Sequence, residues 1–115
     1  MKANELMIGD WVMLTDPINN GEKVQVKEIH GDGYITVDGA ITKMFEPIPL
    51  TEEILEKNGF NETFWGGEWT NDNVDFILIE HNDGFRMIDT NIVLSGVHHF
   101  QHALRLCNIK KDIEL

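Results

Sequence analysis

The sequence predicts an α+β fold: a curled N-terminal sheet, a short helix, then a sheet built on a β-hairpin and covered by a C-terminal helix. Three observations carry this expectation. Between Ile8 and Val37 three short apolar runs are separated by two breaks rich in turn formers, TDPINNGE and HGDG, the pattern of consecutive antiparallel hairpins. The segment TEEILEKNGF holds both a start and a stop signal for a helix. The ending SGVHHFQHALRLCNI spaces its apolar residues along one helical face. At 115 residues the chain has the length of one domain, read here as subdomains 1–50 and 51–115 folding as one cooperative unit.

Taken in order, Met1 to Leu6 forms a lead-in turn with Leu6 as the first core contact. In the first strand Ile8, Asp10, Val12 and Leu14 fall on one side and Gly9, Trp11 and Met13 on the other. The second run sets Val24 and Val26 on one parity and Ile29 on the other, so the alternation slips near Lys27 or Glu28, as at a β-bulge. Pro17 presets one φ angle, while Asn20-Gly21 and Asp32-Gly33 supply the positions that need φ above zero. Tyr34, Ile35 and Val37 make a third strand, Asp38-Gly39 a turn, and Ala40 to Phe45 a fourth strand. Short strands, a bulge and the opening GDWV resemble SH3-like barrels, in which a strongly bent sheet closes on a small core. Such a fold carries no function by itself.

Glu46 to Leu50, EPIPL, is expected to be extended, as a connector or edge strand, because each proline restricts its predecessor and removes a donor. The helix that follows has Thr51 as N-cap, Glu52 and Glu53 in its first turn, and Gly59 past its last. Phe60 and Leu55 stand at the C″ and C3 spacing of a Schellman stop. Val74 to His81 is apolar on both parities and reads as a central strand. Asn82-Asp83-Gly84 turns it back into Phe85 to Asp89, and Ile92 to Leu94 adds one more strand. In the final helix Val97, Phe100, Ala103, Leu104 and Cys107 make the buried stripe, Ser95 is the N-cap, and Asn108 is the left-handed stop with Ile109 against Leu104. Cys107, the single cysteine, reads as a small buried hydrophobe. The terminal Ile113 and Leu115 pair as a short strand or fray.

Composition narrows the function classes. With 20 acidic against 9 basic residues the formal charge is −11, spread along the chain. Phosphate-backbone binding needs clustered Lys and Arg, and only the Lys110-Lys111 pair is present, so nucleic acid is not an expected partner. No apolar run approaches the roughly 20 residues that span a bilayer, and the start MKANELMIGD lacks the basic-then-apolar run of a signal peptide. The expectation is a soluble cytoplasmic protein with no membrane partner. One cysteine builds neither a disulfide framework nor a cysteine-rich metal site.

Catalytic templates are missing: no G-x-S-x-G elbow, Walker loop, dinucleotide G-x-G-x-x-G or Cys-x-x-Cys occurs, so no catalytic or cofactor-binding residue is assigned and no cofactor is expected. The candidate metal ligands are His98 and His102, four residues apart on one helical face. Between them, however, His99 stands where the zinc-hydrolase motif H-E-x-x-H needs its glutamate base, giving HHFQH with no third ligand marked downstream. The candidate partner-binding residues are Trp65 and Trp69, which flank Gly66-Gly67 in a turn-rich segment, with core-capping as the alternative role.

Three segments, MKANELMIGDWV, PIPLTEEILEKNGF and VHHFQHALRLCNIKKDIEL, are similar to a family of short uncharacterised proteins from Bacteroides and its phages. The resemblance covers most of the chain outside Thr63 to Leu94. Relatives often carry glutamate where this chain has His99 and glycine where it has Asn108; the first departure removes the zinc motif and the second keeps a helix stop. The resemblance implies a bacterial or phage cytoplasmic setting and brings no activity, substrate or catalytic residue. The expected function is a non-catalytic protein-interaction module, phage or mobile-element encoded, acting through a barrel groove or the Trp65/Trp69 segment. The alternatives are a metal-dependent hydrolase using His98 and His102, and an acidic inhibitor that mimics DNA.

Overall fold

The computed structural model describes residues 1–109 and 112–115, so the Lys110-Lys111 pair lies outside the described residues. The fold is α+β, and the chain divides into two compact units, Met1–Ile48 and Pro49–Leu115. The division precedes Pro49 because Pro49 bridges Gly96 and the Leu50 N–H donates to the Ser95 carbonyl, both within the second unit.

The first unit opens with a 3-10 turn, Ala3–Glu5, followed by β1 (Trp11–Leu14), β2 (Lys23–Gln25), β3 (Glu28–Ile29), β4 (Ile35–Val37), β5 (Ala40–Thr42) and β6 (Phe45–Pro47). They form two antiparallel three-stranded sheets, ordered β2-β1-β6 and β3-β4-β5. The slip read near Lys27 is the point where the chain changes sheets. Val26 still exchanges backbone bonds with the first sheet, donating to Asp10 and accepting from Gly9, while the Lys27 N–H donates to the Thr36 carbonyl of β4. The expected bulge within one ladder is therefore a change of ladder. No strand pairing closes the two sheets into a continuous barrel among the described residues, so the closed form of the expected SH3-like architecture is not seen.

Parity explains which residues fill this core. Val12 and Leu14 of β1, Val24 of β2, Val26, Ile35 and Val37 of β4, and Phe45 of β6 are buried with Ala3 and Leu6. The breaks act as read: the Asp16 carboxylate accepts from the Ile18 and Asn19 N–H groups at 3.1 and 2.8 Å, and Gly21 follows at φ +88. Proline at the end of β6 costs no ladder bond because that strand lies at the sheet edge.

The second unit contains α1 (Glu52–Lys57), β7 (Asn61–Glu62), β8 (Glu68–Thr70), β9 (Leu78–His81), β10 (Gly84–Met87), β11 (Val93–Leu94) and α2 (Val97–Leu106). Its five strands form an antiparallel meander in sequence order. Helix α1 is punctuated as its residues dictate. Thr51 Oγ1 accepts from the Ile54 N–H, and the Phe60 and Gly59 N–H groups donate to the Leu55 and Glu56 carbonyls. The Phe60 ring then packs edge-on to Phe100 of α2 at 5.5 Å, which ties the helix stop to the core. At the end of α2 the Ile109 and Asn108 N–H groups donate to the Leu104 and Arg105 carbonyls, with Asn108 at φ +58.

Four expectations shift here. The strand read from Val74 to His81 is formed only from Leu78. Asn71 closes a turn onto Asn73 and Val74, so Val74 and Phe76 reach the core without joining the ladder. The N-cap of α2 is Gly96 rather than Ser95. Its N–H is met by His99 Nδ1 at 3.3 Å, so a histidine three residues into the helix does the capping. Cys107 is exposed, because the helix ends there and Asn108 turns the chain away. The terminal segment neither frays nor pairs as a strand: Ile113 is buried, and the Asn58 side-chain amide exchanges two hydrogen bonds with the Glu114 backbone, at 2.8 and 2.9 Å.

Candidate functional site

The site is built on the β7–β8 hairpin. Its five-residue loop, Thr63 to Gly67, is pinned at the base where the Thr63 N–H donates to the Glu68 carbonyl at 2.8 Å. Inside the loop the Gly66 N–H donates to the Thr63 carbonyl at 3.0 Å, and Gly66 and Gly67 take φ of +76 and +75, a left-handed pair that a side chain would strain. The Gly67 N–H is held by the Glu62 carboxylate at 2.9 Å. This bend leaves Phe64 and Trp65 at the crest, 94% and 85% exposed. Their rings meet edge to face, 5.5 Å apart at 84°, so each orders the other.

Trp69 does not share that surface. Lying in β8 opposite Leu78, it is only 2% exposed and packs edge-on to Phe85. Its indole N–H donates to Glu80 Oε1 at 3.3 Å. The expected Trp65/Trp69 pair is thus corrected: Trp65 is surface and Trp69 is core. Every other aromatic of this unit, Phe60, Phe76, Phe85 and Phe100, is also buried. Phe64 is the residue that sequence reasoning missed. The signal was its position beside Trp65, immediately ahead of the two glycines that form the bend.

Carboxylates collect beside the crest from three separate elements. The Glu80 N–H donates to the Gly67 carbonyl, so Glu80 of β9 lies against the loop whose other side Glu62 holds. Glu52, at the start of α1, has its pKa raised above the usual 4.5, first by a side-chain hydrogen bond to Glu80 and by the Glu80 charge, then by slight desolvation and by the charges of Glu62 and Glu56. Acids dispersed in the sequence are gathered by the fold into one ledge.

The candidate metal ligands His98 and His102 differ in burial. His98 is buried, with Gln101, among the inward residues of α2. Its ring lies 5.9 Å from His102, nearly perpendicular, and 4.0 Å from His99. His99 and His102, half-buried, line an apolar groove of about 220 Å³ with Ile92, Leu94, Leu106 and Cys107. Among the described residues no group of three His, Cys, Asp or Glu side chains is arranged to hold a metal, so the third ligand that the hydrolase alternative requires is not assembled. Among the same residues no helix is long and apolar enough to cross a membrane.

Comparison with protein-family models, with curated proteins and with solved structures finds no match.

Proposed function

We propose that this chain is a non-catalytic protein-interaction module that engages another protein through the Phe64–Trp65 crest. One observation carries the proposal: two large aromatic rings stand almost fully in solvent on a pinned loop, while the five other aromatics of the same unit are buried. Exposed tryptophan with a neighbouring aromatic is the side-chain chemistry of interface hot spots, where a rigid ring is desolvated at small entropic cost. The adjoining Glu52, Glu62 and Glu80 favour a partner with a positively charged surface. Trp69 acts beneath the crest as a support, by packing and by orienting Glu80. In this proposal the first unit is an SH3-like barrel opened between its two sheets, supported by the strand that passes from one sheet to the other. The proposed setting is the bacterial cytoplasm, with the chain encoded by the bacterium, its phage or a mobile element.

The test is a comparison of captured partners. Tagged wild-type protein and the Phe64→Ala/Trp65→Ala variant are incubated with Bacteroides lysate, and bound proteins are quantified by mass spectrometry. Because both rings are exposed, the variant should unfold within about 0.5 kcal/mol of wild type. By contrast, Trp69→Ala should cost roughly 3–5 kcal/mol. A stoichiometric partner lost only with the crest supports the proposal. A partner retained by the folded crest variant refutes it.

A further inference from the structure

The first unit contains a cavity of about 530 Å³ between the start of the chain and the β3–β4 turn. Its volume falls in the range of roughly 300–1,000 Å³ typical of small-molecule sites. The charge of its wall is opposite to that of the protein. Lys2 and Lys43 contribute to it beside the His30 imidazole, and no carboxylate lines it among the described residues, although the chain carries 20 acids against 9 Lys and Arg. Met1, Ala3 and Ile29 supply an apolar floor, and Asn4 a neutral amide.

The Lys43 cation is positioned rather than loose. The Lys43 stem crosses the turn at Gly33, where a Cβ would sit 3.7 Å from its Cε, and its ammonium lies 5.1 Å from the centre of the Tyr34 ring. His30 Nε2 lies 2.8 Å from Thr36 Oγ1, with the Glu28 carboxylate 3.9 Å away, which fixes the ring. Asp32, between Gly31 and Gly33 of the lining, accepts from the Tyr34 N–H at 3.3 Å. Among the lining side chains, positive charge comes from Lys2 and Lys43. We propose that this cavity binds a small organic anion, a carboxylate or phosphate group on an apolar body, with Lys2 and Lys43 meeting the charge and Ile29 the body. This site is independent of the aromatic crest.

The test uses ¹⁵N-labelled full-length protein titrated with phenyl phosphate, benzoate, benzyl alcohol and benzylamine. Saturable shifts of the Gly31, Gly33 and Lys43 amides are expected with the anions only, and the two anions separate phosphate from carboxylate preference. Lys2→Gln and Lys43→Gln should each weaken anion binding about tenfold, the scale of one charge-assisted hydrogen bond. Lys43→Arg, which keeps the charge over Tyr34, should restore it. Equal binding of benzyl alcohol or benzylamine overturns the proposal, as does unchanged affinity in the glutamine variants or the absence of saturable shifts with either anion.

Discussion

Replacing Asn58 with alanine should detach the C-terminal segment from the rest of its unit. The Asn58 amide donates to the Ile54 carbonyl at 2.7 Å and to the Glu114 carbonyl at 2.8 Å, and its oxygen accepts from the Glu114 N–H at 2.9 Å. At about 1 kcal/mol net for each bond, the loss is about 3 kcal/mol, a large share of the roughly 5–15 kcal/mol that stabilises a small domain. A chain ending before Ile113 should lose two of those bonds and the burial of the Ile113 side chain, worth about 2 kcal/mol more. Because the two changes share the Glu114 bonds, combining them should cost about 2 kcal/mol less than their sum. Urea titrations followed by tryptophan fluorescence measure all three, with the buried Trp69 as reporter. A cost below 1 kcal/mol for Asn58→Ala, or strict additivity with the truncation, would refute the clamp.

Two further outcomes follow from the second unit. Glu52 titrates above its usual range because of its side-chain hydrogen bond to Glu80 and then the charges of Glu80, Glu62 and Glu56, so its contribution to stability is present at low pH and is lost as pH rises through the raised value. The Glu52→Gln variant should therefore melt higher than wild type at neutral pH, with the difference shrinking on acidification; a wild-type advantage at neutral pH would contradict the crowding. At Gly84, φ is +138 and an added Cβ would run into the Leu94 carbonyl oxygen and sit 2.8 Å from the Ser95 Cα. Gly84→Ala should cost about 3 kcal/mol from strain and from parting β10 and β11, read as a lower urea midpoint, and a midpoint within error of wild type would rule out the close approach.

Local signals in the sequence were the ones that translated directly into structure. Thr51, Gly59 and Asn108 mark the helix ends because capping involves neighbours within a few residues, and the spacings Leu55 to Phe60 and Leu104 to Ile109 reappear as hydrogen bonds. The slip after Val26 was equally visible, but its meaning depends on which strand pairs with Lys27, a choice made by distant residues. Trp65 and Trp69 look alike in sequence. The bend at Gly66-Gly67 and the pairing of Trp69 opposite Leu78 send one out and the other in. Nothing near Asn58 points to a partner 56 positions away, and nothing in the even spread of acids foretells that Glu52, Glu62 and Glu80 converge.

The passage of one strand between two sheets also bears on how the first unit assembles. Residues 23–29 provide an edge to both sheets, so neither ladder is complete until this single stretch has been laid down. Opening one sheet withdraws an edge from the other, which makes the two a single cooperative foldon rather than separable pieces. Native-state hydrogen exchange should therefore register the amides of Val12 and Val37 as opening together, with one shared free energy, although their strands never touch through a ladder.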